Sequence, residues 1–187
     1  MWERIERDTG QDQLPPPFWA FPWAGGQALA RYLLDQPDCV RGRVVLDLAS
    51  GSGLVAIAAA AAGAASVTPS ETDALAAAAI TLNAGVNRVR LEPTVGDLLS
   101  GPGPEPKDAA RPDVVLAGDA FYDRDMAGLM LPFLERASQA GALVLVGDPG
   151  RAYLPRERLT EVAAYDVPVE RVIEDADVKP ATVWRLR

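Results

Sequence analysis

The chain has 187 residues, a net charge of −8, 49% hydrophobic residues and 24% charged residues. A chain of this length suits a single domain that buries roughly 70% of its unfolded surface and needs no disulfide or metal to hold its core. Cys39 is the only cysteine and histidine is absent, which excludes an intrachain disulfide, a Ser-His-Asp triad and a His-ligated zinc site.

The acidic balance argues against a sequence-independent nucleic-acid binder and against docking on an anionic membrane. It suits a basic partner, or simple solubility. Met1-Trp2-Glu3-Arg4 is charged from the start, with no apolar segment of the kind a signal peptide needs. The longest apolar stretch, Leu54 to Ala65, is too short to cross a bilayer. These features set the expectation of a soluble, cytoplasmic protein.

Residues 1–13 read as a polar N-terminal arm, and 14–187 as a single domain. Leu14-Pro15-Pro16-Pro17 is stiff and extended. Phe18-Trp19-Ala20-Phe21-Pro22-Trp23 then places four aromatics in six residues, as a lid over the core or a wall for a cationic or planar ligand. Gln27 to Leu34 has helical spacing, and Pro37 stops it. Val44 to Leu48 reads as a buried strand, Gly53 to Ala62 as a helix, and Ala65 to Val67 as the start of a second strand. A helix over Asp73 to Asn83 follows, with Thr72 or Asp73 near its N-cap. Val89 to Val95 is a third strand, Gly101 to Arg111 a loop, and Asp113 to Ala117 a fourth strand. Asp125 to Gln139 is a helix and Ala142 to Val146 a fifth strand. The tail reads as a helix near Pro155 to Ala163, then strands near Val167 to Ile173 and Thr182 to Leu186, forming an antiparallel edge hairpin. Strands alternating with helices predict an α/β sandwich on a mostly parallel sheet.

Val44-Val45-Leu46-Asp47-Leu48-Ala49-Ser50-Gly51-Ser52-Gly53 runs from a buried strand through a Gly-rich turn into a helix. Ligands of doubly wound sheets bind at such turns. Gly51 to Ala56 fits the dinucleotide pattern G-x-G-x-x-A. The acid Asp47, however, would repel a pyrophosphate and suits the ammonium and sulfonium of S-adenosylmethionine. Glu71, after the second strand, is placed for ribose hydroxyls or as a helix-start acid. Asp97, after the third, can accept a hydrogen bond from an adenine amino group. Asp119, after the fourth, can orient or help deprotonate an amine, and Phe121 or Tyr122 offers a π face. Asp148 either lines the acceptor channel or caps its turn.

The chain resembles the electron transfer flavoprotein β-subunit lysine methyltransferases. The resemblance is carried by Leu14 to Leu34, the Leu46 to Gly53 turn, Ile80-Thr81-Leu82-Asn83, Gly118 to Asp123, Gly147 to Arg151 and Thr182-Val183-Trp184. It implies a Rossmann-like, seven-stranded class I methyltransferase sandwich with strand order 3-2-1-4-5-7-6 and strand 7 antiparallel. It implies methyl transfer from S-adenosyl-L-methionine to lysine amines of the flavoprotein β subunit by a monomer. Trp23, Asp47, Gly51, Glu71 and Asp97 match cofactor-binding positions; Gly53 closes the same turn. Asp119, Phe121 and Tyr122 match the motif facing the acceptor. Ala49 stands where the family usually has glycine in that cofactor turn, and the arm is short for the family. Other readings are the same fold acting on a ribosomal protein or small amine, an NAD-dependent oxidoreductase, or a non-catalytic nucleotide-binding module. No Tyr-x-x-x-Lys pair supports the oxidoreductase, since the only lysines are Lys107 and Lys179.

Overall fold

The computed structural model describes residues 17–100 and 111–187. The polar arm, Leu14 to Pro16 and most of the expected Gly101 to Arg111 loop lie outside these residues. The strands are β1 (Val44–Leu48), β2 (Ser66–Glu71), β3 (Thr94–Val95), β4 (Val114–Gly118), β5 (Leu143–Asp148), β6 (Leu159–Pro168) and β7 (Val178–Leu186). The helices are α1 (Ala24–Asp35), α2 (Leu54–Ala61), α3 (Ala74–Val86), α4 (Arg124–Gln139) and the short α5 (Arg171–Glu174).

The strands form one sheet in the order β3-β2-β1-β4-β5-β7-β6. Pairing is parallel from β3 through β5, and β7 runs antiparallel to both β5 and β6. This is the expected α/β topology. The central strand β4 is apolar throughout because both its faces are covered. Val114 and Leu116 of β4 point into the core that holds Leu29, Leu33 and Ile80. Val115 and Ala117 point into the opposite core, with Phe121, Met130 and Leu134. Asp73 and Asp123 cap α3 and α4, accepting hydrogen bonds from the Leu75 and Met126 amides at 2.7 and 2.8 Å.

Three expectations are corrected. The third strand shrinks to Thr94–Val95: α3 runs on to Val86, and Pro93 has no amide proton for a ladder. The expected Pro155 to Ala163 helix is a short 3-10 turn, Arg156–Arg158, followed by β6. Leu159, Val162 and Ala163 imitate helical spacing because the register shifts between Glu161 and Ala163, which leaves Val162 outward. The strand expected over Val167 to Ile173 ends at Pro168, and Arg171–Glu174 is helical.

Candidate active site

The turn from β1 into α2 needs left-handed backbone. Ala49, Gly51 and Gly53 have φ of 49°, 60° and 89°. Ala49 carries a Cβ there at a cost of about 1–2 kcal/mol, which glycine would avoid. A Cβ on Gly53 would lie 3.2 Å from Ile80 Cγ1. Gly53 therefore seats the turn against α3; it does not line the cleft described below.

Asp47 was expected to meet a ligand directly. It is 1% exposed and lies outside the cleft wall, because its carboxylate is turned under the loop. Its Oδ2 accepts from the Ser50 hydroxyl at 2.5 Å, and Oδ1 has no hydrogen-bond partner among the described residues. Burial pushes this carboxyl up to about 7. The folded state thus holds a proton that the unfolded chain releases near pH 4. Stability from this group is present at low pH and is lost as pH rises toward about 7. Asp47→Asn is expected to melt about 3 °C or more above wild type at pH 8 without ligand, with the gap shrinking to roughly a third by pH 5. Differential scanning calorimetry at both pH values checks it; an equal gap at both would refute the titration account.

A cleft of about 490 Å³ opens at the carboxyl ends of the strands. Leu48, Ala49 and Gly51 form its floor, and Glu71 and Asp97 stand at the ends of β2 and β3. Glu71 Oε1 accepts from the Gly51 amide at 2.6 Å and Oε2 from Thr72 at 3.1 Å. These bonds fix the carboxylate against the glycine turn, while burial raises its pKa. Asp97 is exposed and accepts from the Leu99 and Ser100 amides at 2.9 and 3.0 Å, so its pKa is lowered by hydrogen bonding from Ser100. Leu98 and Leu99 add an apolar wall.

At the other end, Asp119 follows β4 with φ 54° and is 7% exposed. Its Oδ2 accepts from the Gly25 amide at the start of α1, and its Oδ1 accepts from Arg151 Nε at 2.7 Å. Arg151 also donates to Glu174 Oε1 at 3.1 Å, and Lys179 Nζ reaches Glu174 Oε2 at 2.5 Å. Glu174 accepts from the Ala24 amide at 3.3 Å as well. Two acids from distant elements therefore cap α1, whose own N-cap residue, Trp23, provides no side-chain bond. The Arg151 guanidinium lies 5.5 Å from the Trp23 ring centroid. Burial raises the pKa of Asp119 against the opposing pull of Arg151.

Trp23, Tyr122, Asp119 and Arg151 all line this end. Tyr122 is half-exposed, 5.9 Å from the Phe18 ring. Phe121 is a correction: it is 1% exposed and packs with Met130 and Leu134 under α4, away from the cleft. Asp148 caps its turn, accepting from the Gly150 and Arg151 amides at 2.6 and 2.7 Å. Sequence reasoning missed Glu174 and the role of Arg151. The signal for Arg151 was a lone arginine directly after the tight turn that ends a buried strand. Glu174, just past a segment read as a strand, gave none.

The chain is 38% identical to the electron transfer flavoprotein beta subunit lysine methyltransferase of Rattus norvegicus, over 98% of this chain and 70% of that protein. It belongs to that family. The human relative gives the same 38%, over 98% of this chain and 68% of its own length. A sequence model for ribosomal protein L11 methyltransferase matches residues 28–118. A solved precorrin-6y C5,15-methyltransferase from Geobacter metallireducens superposes with a TM-score of 0.59 at 14% identity, covering 86% of this chain and 87% of that one. That likeness places the fold among methyltransferases. As a member of this lysine methyltransferase family the chain is itself a methyltransferase, and its cleft lies at the carboxyl ends of the strands, where open α/β sheets bind their ligands.

Proposed function

We propose that this chain transfers methyl groups from S-adenosylmethionine to lysine side chains of the beta subunit of electron transfer flavoprotein. The observation that carries this is the single cleft joining the Glu71 and Asp97 carboxylates to the Asp119 and Trp23 cation site, in a chain 38% identical to enzymes named for that reaction. The donor set fits the cofactor. Glu71 and Asp97 suit ribose and adenine donors, Leu48, Leu98 and Met126 suit an apolar ring, and Ala49 and Gly51 present backbone. When bound, S-adenosylmethionine supplies a methyl group activated on a sulfonium.

The protein's task is to deliver a neutral amine in line with that methyl. Trp23 and Tyr122 shield the lysine stem from water, which favours the uncharged amine. Asp119 serves to orient the amine. Both of its oxygens already accept hydrogen bonds, and Arg151 offsets its charge, so it is poorly suited to remove the proton. The acidic surface attracts a lysine-bearing partner.

Intact-mass spectrometry of unmethylated flavoprotein, after incubation with this protein and S-adenosylmethionine, tests the reading. Methyl-sized increments on the beta subunit alone are expected. Cofactor binding without increments would redirect the search to another acceptor. Glu71→Gln is expected to weaken S-adenosylhomocysteine binding about tenfold by titration calorimetry, since it loses charge-assisted bonding at the ribose end. Wild-type affinity would remove Glu71 from the site.

A further inference from the structure

We infer that Arg151 makes the acceptor end selective for the uncharged form of the incoming amine, by cancelling the negative charge that Asp119 would otherwise present to it. This rests on the amine-methylating reading above. The groups facing the guanidinium are Asp119 from the end of β4, Glu174 from α5, Asp148 from the end of β5, and the Trp23 ring. Lys179 of β7 enters through Glu174. Asp119, Glu174, Arg151 and Lys179 form a chain of two acids and two bases with no surplus charge. Asp148 spends Oδ1 on two backbone amides. Tyr122, the other titratable group beside the acceptor, has its pKa raised by burial and stays neutral.

The Trp23 face with the Asp119 carboxylate is the kind of place a lysine ammonium prefers. In this structure a guanidinium already holds that position. An ammonium arriving beside Arg151 meets a like charge, whereas a neutral amine does not, so the encounter favours loss of the amine's proton to water. The nitrogen lone pair then forms the new N–C bond as the S–C bond breaks. The second proton leaves the methylated ammonium for solvent. Without Arg151 the Asp119, Glu174 and Lys179 set carries one uncompensated negative charge, beside an Asp148 carboxylate whose Oδ2 has no hydrogen-bond partner among the described residues; this stabilises the ammonium and holds its lone pair out of reaction.

The test is the pH dependence of methyl transfer at saturating S-adenosylmethionine, from about pH 6 to about pH 10, for wild type, Arg151→Met and Arg151→Lys. An opposite charge within a few ångströms moves an amine by one unit or more. In Arg151→Met the acidic limb is expected to move up by on the order of one pH unit, with the rate recovering at high pH. Arg151→Lys, which keeps the charge, is expected to hold the wild-type limb. S-adenosylhomocysteine affinity is expected to stay within about threefold in both. A uniform loss at every pH, an unmoved or lowered limb in Arg151→Met, or a matching loss of S-adenosylhomocysteine affinity would overturn the inference. The last result would make Arg151 a cofactor ligand. If wild type methylates no lysine, the functional reading falls and this inference with it; if wild type is active and Arg151→Met merely scales down, only this inference falls.

Discussion

Replacing Gly147 with alanine is expected to destabilise the protein by about 3 kcal/mol, at the upper end of overpacking costs, and to lower its melting temperature by about 10 °C. A Cβ there would overlap the Gly25 carbonyl oxygen and lie 2.7 Å from Leu29 Cβ. The obstacle is backbone and cannot rotate away. Gly25 meets the same barrier from its own side, where a Cβ would lie 2.6 Å from Asp119 Oδ2. The first turn of α1 thus lies directly on the ends of β4 and β5, with glycine on both surfaces. Gly128→Ala in α4 is the control: nothing lies within 4 Å of its Cβ, and it is expected to gain about 0.5–1 kcal/mol. Thermal melts of the two variants decide the matter. A Gly147→Ala protein as stable as wild type would mean that α1 is not held this closely.

Asp119→Asn is expected to reduce methyl transfer by about a hundredfold or more while S-adenosylhomocysteine affinity changes by less than about threefold. Asparagine accepts the left-handed backbone at this position, so the φ of 54° is no obstacle. What is lost is the charge that both the Gly25 amide and Arg151 bind, which costs about 1–3 kcal/mol of stability. The acceptor then meets a misplaced partner and an arginine paired only with Glu174. Kinetics and calorimetry on the same preparation separate the effects. Parallel loss of turnover and cofactor affinity would make Asp119 a purely structural residue.

Much of the Glu71 and Asp97 end of the cleft is legible in the residues themselves. Val44 to Gly53 carries strand, turn and helix in one contiguous run, and Glu71 and Asp97 follow successive strands at the same sheet edge. Local order suffices there because each residue's place follows from the strand before it. Asp47 shows the limit: its position in the chain is as expected, but the turn folds its carboxylate inward to Ser50. The acceptor half is less legible. Phe121 and Tyr122 are adjacent, and only the packing of α4 decides which ring faces the cleft. Glu174 meets Ala24 across 150 positions, a distance no spacing rule reaches. The β6 bulge displaces a single residue and so makes an edge strand look like a helix.

The trans-capping of α1 has a consequence for how the protein comes to be. The helix stands near the start of the chain, yet the carboxylates that satisfy its first amides come 94 and 150 positions later. Closing loops of that length is entropically expensive and comes after local contacts have formed. During synthesis, β1, the glycine turn and β2 can assemble while α1 still has open amides at its leading end. The leading end of α1 is therefore satisfied only once the chain reaches Glu174, so the last elements of the sheet complete the Asp119 end of the cleft.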